Sequence, residues 1–535
     1  MVRNFGRRVV TLFIAASLPA AAGIAAVDQT LRAGIRASRV TTVDPRLIEQ
    51  NAVDTESGFD TPPMPLPADL PVPAAFAWRT PESPQVIVQQ FVPAPEAVTV
   101  NRTFLALPDD NTLSPPDTSG AAGPSHLIVA LNTQLRFQTR SGVVLLTTTV
   151  KSFFEKLRNG GRVFDPHVAY DVRTNRWLMC ATSDQRTSSS AQPTGSALLL
   201  AVSQTGDPLG TWNLYRYNAP TESPAIWFDF PQLGFNDSSI NISLNVYGVS
   251  DDKFVRVTIY QISRADPTSA TFIDYANNGG GFSPVVSQDG GSASYVVQRW
   301  NGNSSGNGYL RLYTLSSAGI TPVAFVSTPN PWTGTGASGD DFVSQAGTSQ
   351  KIAAGDDRIL SPVLRNGSIW AVHSVFLPLS SPTHAAIQYW QITPSGGLLQ
   401  RGILEDGSGA FSYTFPSIAV NTRNDVMIAG SRFSATTYPS AFYLFRPAGT
   451  PSATNVQPVV FRSGDASYNK IINSSSTSNR WGDYSATCID PVNGVDFWTI
   501  QEYSTVPSGG IDRWGTWWVQ LTIGEVSPRH RAIKH

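Results

Sequence analysis

The chain has little cysteine, little charge and almost no excess of either sign. Of its 535 residues only two are cysteines, and charged residues make up 14%. Its 38 basic residues nearly balance 39 acidic ones, which leaves a formal net charge of −1. We therefore predict no basic face of the kind that nucleic-acid binding requires. Cys180 and Cys488 either form one disulfide in an oxidising compartment or remain two buried thiols.

Other absences exclude common classes of active site. The six histidines show no HxxxH or HxH spacing, so a zinc site is not expected. No serine lies in a GxSxG elbow, and no glycine-rich loop has the strand–loop–helix context of a nucleotide site. No segment after the first two dozen residues is long and apolar enough to span a bilayer. We expect no required cofactor, no nucleic-acid partner and no membrane span.

The start of the chain differs in composition from the rest. Residues 1–22 are typical of an export signal, with three arginines among the first eight residues, an apolar run and an alanine-rich end. This pattern predicts a secreted protein, either extracellular or periplasmic. Residues 23–100 are proline-rich and indicate a leader or a strap laid over the domain. We assign residues 101–522 to one β domain and residues 523–535 to a C-terminal tail.

A repeated unit organises the β domain. Each copy has a short motif, an apolar strand, a turn and a second apolar strand. Seven copies can be marked, and they begin at Pro116, Phe164, Asp229, Phe282, Leu360, Thr414 and Asp483. Short strands repeated at this spacing predict an all-β fold, namely a β-propeller of seven four-stranded blades.

Polar residues recur at two positions of this unit. In a propeller, the motif and the end of the second strand meet on one face, around the central channel. The motif positions are Asp117, Asp165, Asp229, Ser283, Ser361, Thr414 and Asp483. The strand-end positions are Asn132, Asp184, Asn245, Arg299, His373, Arg432 and Glu502. This placement predicts a channel mouth rich in carboxylates and arginines.

One detail conflicts with a single acidic ring. Asp165 lies one residue before its proline, whereas Asp229 lies two residues before its own. Because neighbouring strand residues point to opposite faces, the alignment puts in doubt that both face the channel.

Three interpretations of these acids remain open. Two carboxyl groups act on a glycosidic bond, one protonated and one ionised; or the acids bind Ca²⁺; or each Asp only shapes its own turn. The candidate acid, base or nucleophile groups are Asp117, Asp165, Asp229, Asp483 and Glu502. The candidate substrate-binding groups are Arg299, Arg358, His373, Arg432, Arg480, Trp481, Asn132, Asn245 and Asp184. Asp356 and Asp357 are interpreted as solvated loop acids or calcium ligands.

Two motifs carry a family resemblance. Residues 115–126 read PPDTSGAAGPSH and residues 480–485 read RWGDYS. With them, residues 110–520 resemble large secreted bacterial propeller proteins. The resemblance implies a sialidase-like architecture and an extracellular setting, with no general assigned activity. The Asp-box SxDxGxTW of sialidases is not intact, since residues 287–291 match only a fragment.

These observations favour a secreted carbohydrate-active propeller. The leading hypothesis is a glycoside hydrolase that acts on an extracellular polysaccharide or glycoconjugate at the carboxylate-lined face. The alternative is a non-catalytic glycan- or protein-binding module for adhesion that uses the same face, stabilised by Ca²⁺. The sequence leaves the oligomeric state open.

Overall fold

The computed structural model describes nine stretches of the chain. These are residues 29–51, 59–60, 69–73, 91, 98–184, 194–276, 280–336, 341–471 and 478–524. The export signal expected at residues 1–22 and nearly all of the tail at residues 523–535 lie outside them. Within the described stretches, no helix has the length and apolar character needed to cross a membrane.

Thirty-five strands and a few helical turns make up the described chain. Strands β1–β5 are Gln29–Arg36, Arg39–Val43, Phe59–Asp60, Val98–Pro108 and Leu113–Ser114, with a 3-10 turn at Pro45–Leu47. Strands β6–β9 are Ser119–Ala122, His126–Ala130, Gln134–Thr139 and Val144–Thr149. Helices α1 and α2 follow at Val150–Phe153 and Glu155–Arg158. Strands β10–β13 are Arg162–Asp171, Arg176–Asp184, Ala197–Ser203 and Trp212–Asn218. Strands β14–β17 are Ile226–Phe235, Ser239–Gly248, Phe254–Ser263 and Ser269–Ala276.

The remaining strands continue the same pattern. Strands β18–β22 are Phe282–Pro284, Val286–Ser287, Ser294–Ser304, Asn307–Ser316 and Gly319–Thr328. Strands β23–β28 are Asp341–Val343, Ile352–Ala353, Leu360–Arg365, Ser368–Leu377, His384–Ile392 and Leu398–Leu404. Strands β29–β32 are Ser412–Val420, Val426–Ser434, Thr437–Arg446 and Val459–Arg462. Strands β33–β35 are Ala486–Ile489, Phe497–Ser508 and Ile511–Ile523.

The strands form a propeller whose first strands surround a channel. Strands β6, β10, β14, β18, β25, β29 and β33 each contact the next, and β33 contacts β6, so the cycle is closed. From each first strand the chain meanders outwards in antiparallel strands. Strand β4, from the start of the domain, pairs with β35 and completes the last sheet. The prediction of an all-β propeller is confirmed.

The blades are not the seven equal units that the repeats predict. Five separate sheets have the size of a blade: four have four strands, and β10–β13 gains a fifth strand from β2. The sixth is a ten-stranded sheet in which the short strand β19 pairs in parallel with both β14 and β25. The structure therefore shows five separate blades, and the prediction of seven is wrong in this respect. The repeats that begin at Asp229 and Leu360 share one continuous sheet through β19.

The core lies between neighbouring sheets and follows the period of two in the sequence. In β15, for example, Ile240, Ile242, Leu244 and Val246 alternate with polar residues and pack in one cluster with the preceding sheet. Because sheets cover both faces of this strand, its polar residues are buried too. Buried polar groups need partners, so such strands place hydrogen-bonding side chains inside the domain.

A recurring bulge sets the geometry of the first strands. Asp165, Phe230, Ser361 and Phe415 each precede a proline and have φ values of 53°, 50°, 47° and 52°. The pairing register of each strand shifts at that point. Proline cannot donate to the ladder, so an extra residue is accommodated as a bulge that re-aims the adjacent side chains.

Candidate functional site

The bulge brings Asp165 and Asp229 together at the start of the channel. Asp165 is the left-handed residue of its bulge, whereas Asp229 lies one residue before the equivalent position, Phe230. Their two carboxyl groups nevertheless hydrogen-bond to each other. Neighbouring residues point to opposite faces only in a regular strand, and these two strands are interrupted by bulges. The two carboxyl groups therefore meet, although strict alternation along the strands would point them apart.

Asp117 joins the first repeat to the last. Its carboxylate oxygens accept hydrogen bonds from Asn132 Nδ2 at 2.6 Å and from the backbone N–H of Asp483 at 2.8 Å. Asn132 Oδ1 in turn accepts the backbone N–H of Asp165 at 2.7 Å. These bonds connect three first strands, so Asp117 and Asn132 have a clear structural role.

Asp165 also accepts a backbone N–H from a neighbouring repeat, and one of its two carboxyl oxygens has no partner. Its Oδ2 accepts the backbone N–H of Phe230 at 3.2 Å, while its buried Oδ1 has no hydrogen-bond partner. Tyr484, whose hydroxyl group also lacks a partner, lies near these acids and packs 4.1 Å from the His167 ring, centroid to centroid. Neither Tyr484 nor His167 occupies a polar position of the repeat, so the sequence does not predict that they lie at this site.

Burial controls the protonation of these acids. It is the largest cause that raises the pKa of Asp117 and Asp165 well above the usual value, and nearby carboxylates add to it. Burial also raises the pKa of Asp229, but its hydrogen bond with Asp165 acts in the opposite direction. Burial and the contact between the two carboxyl groups therefore favour retention of a proton by the pair.

Asp483 is the most exposed of the four aspartates. Its side chain is 13% exposed and accepts a hydrogen bond from Arg480 at 2.6 Å. It lines a small cavity of about 20 Å³ with Asp356 and Arg358, which pair with each other at 3.0 Å. Arg358 also covers the Phe230 ring, 5.3 Å from its centroid. This cavity is the point where the acidic cluster meets solvent.

Glu502 lies behind the cluster. It is buried, its Oε1 has no partner, and burial raises its pKa well above the usual value. Gly482 lies between it and Asp117: a Cβ there would be 3.4 Å from Glu502 Oε2 and 3.8 Å from Asp117 Oδ1. Glu502 thus belongs to the same buried group of acids.

Asp356 and Asp357 are not solvated loop acids, which corrects the interpretation from the sequence. Asp357 is fully buried and accepts hydrogen bonds from Arg299 Nε at 2.5 Å and from Trp332 Nε1 at 2.6 Å. Arg299 also pairs with Asp69 of the proline-rich leader at 2.7 Å. The charges of Arg299 and Asp357 are therefore compensated by partners within the protein.

The structure places His373 and Trp481 in the core. His373 Nδ1 lies 3.0 Å from the backbone oxygen of Asp357, and its Nε2 accepts a hydrogen bond from Trp390 Nε1 at 3.1 Å. Burial lowers its pKa to about 3, so the ring is neutral. Trp481 donates to Ser431 Oγ at 2.9 Å and packs on Tyr468. No ring face of either residue is left for a sugar.

Three further candidates also have internal partners. Asp184 pairs with Arg162 at 3.0 Å. Asn245 donates to the Tyr247 hydroxyl group at 3.2 Å. Arg432 stacks over Phe411, 4.6 Å from the ring centroid, and is half-buried. The structure does not bring these side chains to the small acidic cavity.

Two further features bear on the site, namely groups of metal-ligating side chains and the two cysteines. Within the stretches that the structure describes, no three His, Cys, Asp or Glu side chains converge as metal ligands would. Cys180 and Cys488 are free thiols.

A larger cavity of about 250 Å³ lies at the opposite end of the channel. The later halves of the first strands line it, whereas the acidic cluster lies at their beginnings. The sequence does not predict this cavity, because most of its lining residues are ordinary strand residues that belong to no motif.

Comparison with known proteins adds similarity of fold. No protein-family model matches the sequence, and no curated protein matches it significantly. An endosialidase of phage phi92 is 10% identical with a TM-score of 0.38, over 81% of this chain and 71% of that one. The Dos1 propeller is 8% identical with a TM-score of 0.34, over 80% and 95%. An α-L-arabinofuranosidase from Fusarium graminearum is 9% identical with a TM-score of 0.29, over 55% and 93%.

Proposed function

We propose that the protein is a secreted carbohydrate-active propeller that hydrolyses glycosidic bonds of an extracellular polysaccharide or glycoconjugate. The observation that carries the proposal is the contact between the buried carboxyl groups of Asp165 and Asp229, which favours retention of a proton by the pair, beside the partly exposed carboxyl group of Asp483. Glycoside hydrolysis needs one protonated acid next to one ionised carboxylate. In this proposal the Asp165–Asp229 pair is the acid and Asp483 is the second carboxyl group.

The separation of the acids suggests their roles. Asp165 and Asp229 hydrogen-bond directly, so they are closer than the roughly 5 Å or more between the two carboxyl groups of glycosidases. They would act as one unit that gives its proton to the glycosidic oxygen. Asp483, oriented by Arg480, would be the second carboxylate, either as base towards water or as nucleophile.

The size of the acidic cavity limits how a sugar can bind. Its volume of about 20 Å³ accommodates about one water-sized group. A sugar ring would lie over the mouth, and the Arg358 side chain, which covers Phe230, would have to move aside. Arg358 is long and its charged head can follow the ligand, so it would bind the sugar hydroxyl groups.

A second candidate is a propeller that binds glycans without hydrolysis. It is favoured by the deep burial of Asp117 and Asp165 and by the backbone N–H groups that both accept from neighbouring strands. In that case the acids hold the first strands together, and glycan contacts only the mouth around Asp483 and Arg358.

A screen of the purified protein against polysaccharides separates the two candidates. Release of reducing ends measures hydrolysis, and retention on immobilised glycan measures binding. We expect Asp229→Asn and Asp483→Asn each to lower hydrolysis at least about 100-fold, as loss of general acid–base catalysis does. Asp251→Asn, the same change in an exposed loop, is the matched control and should keep full activity.

Two results would contradict the hydrolytic proposal. Hydrolysis that survives both substitutions would place the chemistry elsewhere. Glycan binding without any cleavage, equal in the wild type and both variants, would leave only the non-catalytic candidate. If no glycan is bound or cleaved, both candidates fail.

A further inference from the structure

The cavity at the far end of the channel has mostly apolar walls. Leu233, Phe235, Val286, Val363 and Ile418 line it, each from a first strand or from β19. Its volume of about 250 Å³ exceeds the 150 Å³ that holds benzene in an engineered protein cavity. It is smaller than the typical pocket for a drug-sized ligand, which is about 300 Å³ or more. A compact organic molecule would fit, whereas an oligosaccharide would not.

The acidic residues that line this cavity already form ion pairs with arginines. Asp171 pairs with Arg264 at 2.6 Å, and Asp490 pairs with Arg140. The ring of His167 also lines the cavity, but burial lowers its pKa to about 3 and leaves it uncharged. Neither the acids nor this histidine offers a free charge to a ligand.

Arg365 differs from the other charged residues of the cavity. Its nearest acidic partner is Asp289, at 3.9 Å, and Asp289 already accepts the backbone N–H groups of Asn366 and Gly367 at 2.8 and 2.7 Å. Arg365 NH1 makes only a long hydrogen bond to the backbone oxygen of Gln288, at 3.3 Å. The guanidinium group is therefore weakly compensated.

Two buried polar atoms at this position have no partner. These are Arg365 Nε and Gln288 Oε1, and both residues line the cavity. Buried polar groups are usually hydrogen-bonded, and an unpaired one is destabilising, so these two atoms call for an explanation. A ligand that accepts a hydrogen bond from Arg365 Nε would satisfy the guanidinium group.

We propose that this cavity binds a small monocarboxylic acid with an apolar aliphatic or aromatic body. The carboxylate would meet the Arg365 guanidinium group, and the body would fill the space between the apolar strands. The site lies at the opposite end of the channel from the acidic cluster and does not depend on hydrolysis there.

The lining favours a carboxylate over a phosphate or a sugar. Arg173, the other arginine of the lining, already pairs with Asp237 at 2.6 Å, which leaves Arg365 for the ligand. One arginine matches one planar carboxylate, whereas a phosphate is usually held by several donors. A sugar would bury many hydroxyl groups against Leu233, Phe235 and Ile418, which offer no hydrogen bonds. An uncharged apolar molecule would leave Arg365 Nε unpaired.

Binding of octanoate and 3-phenylpropanoate to the full chain tests this proposal by calorimetric titration. The corresponding amides are matched ligands of the same shape without charge. We expect both acids to bind and both amides to bind at least about tenfold more weakly, because hydrogen bonds to a charged group are worth more than neutral ones. Arg365→Gln should weaken the acids by a similar factor and leave the amides unchanged.

Two further variants test whether the ligand binds in this cavity. Ala169→Leu fills part of the cavity without touching Arg365 and should weaken acids and amides alike. Arg176→Gln is the matched control, since this half-buried arginine bonds only to the backbone oxygens of Thr174 and Asn175. It should bind the acids as the wild type does. If Arg365→Gln does not fold, the comparison of acid with amide and the Ala169→Leu variant decide.

Three results would overturn the proposal. The first is no binding of either acid at millimolar concentration. The second is equal affinity for acid and amide, which would mean that the charge is not recognised. The third is binding that neither Arg365→Gln nor Ala169→Leu changes, which would place the ligand outside the cavity.

Discussion

At the scale of single residues, Asp165 shows how a fold fixes a protonation state. Burial disfavours its charged form, and the neighbouring charges of Asp229 and Asp117 act in the same direction. In the unfolded chain the same carboxyl group has an ordinary pKa, near 4. Folding therefore takes up a proton at Asp165 whenever the pH lies between the two pKa values.

We expect Asp165→Asn to become more stable relative to the wild type as the pH rises. Between the two pKa values the folded wild type binds more protons than the unfolded chain, so its free energy of unfolding falls with rising pH. One such group changes it by at most about 1.4 kcal/mol per pH unit. Asparagine has the shape of the neutral acid and does not titrate, so it avoids this loss.

Urea unfolding at about pH 4, 6 and 8 measures the effect. The difference in unfolding free energy between Asp165→Asn and the wild type should be more favourable to the variant at pH 8 than at pH 4. Asp251→Asn, in an exposed loop, should show the same difference from the wild type at all three values. A difference for Asp165→Asn that does not depend on pH would show that no proton is taken up on folding.

At the scale of single elements, the bulge of the first strands decides which side chains meet. The sequence predicts the acidic positions and the strands that carry them, because both recur with the repeat. It does not predict that Asp165 and Asp229 contact each other, since strict alternation would point them apart. The left-handed residues Asp165 and Phe230, each before a proline, supply the missing rotation, and no periodicity reveals it.

We expect glycine to have different effects at two equivalent serines of the motif. Ser361 has φ 47°, where glycine avoids a penalty of about 1–2 kcal/mol that other residues pay. Ser283 occupies the same motif position but has no positive φ, and its hydroxyl donates to the Ile359 oxygen at 2.5 Å. Ser361→Gly should therefore be neutral or slightly stabilising, whereas Ser283→Gly should cost about 1 kcal/mol or more.

Chemical denaturation of the two variants side by side measures this difference. Each variant is the control of the other, because the substitution and the motif position are the same. Equal destabilisation at both positions would show that the bulge at Ser361 stores no backbone strain.

At the scale of the whole molecule, long-range pairing limits what the sequence predicts. The repeats indicate the propeller, since each repeat contributes one meander. They do not indicate that β19 pairs with β14 and β25 and so joins two repeats in one sheet. Nor do they indicate that β1 and β2, from the expected leader, add edge strands to two sheets. These pairings depend on the neighbouring sheets, not on local composition.

Closure of the ring depends on β4 far more than on the two edge strands. Ala106 and Leu107 of β4 are fully buried in one cluster with Trp498, Trp514 and Trp518. The Leu107 N–H and oxygen both hydrogen-bond to Thr516 Oγ1 at 3.0 Å. In β1 and β2 only Val43 is buried, so these strands cover little apolar surface.

We therefore expect two N-terminal truncations to behave differently. A chain that starts at residue 45 lacks β1 and β2 and should fold, with a melting temperature lowered by a few degrees, because it loses mainly exposed edge pairing. A chain that starts at residue 109 also lacks β4, which opens the last sheet and exposes the tryptophan cluster, so it should not fold cooperatively. Tryptophan fluorescence during thermal unfolding distinguishes them, and the shorter truncation controls for the loss of chain length. A sharp transition in the chain that starts at residue 109 would show that β35 closes the propeller without its partner strand.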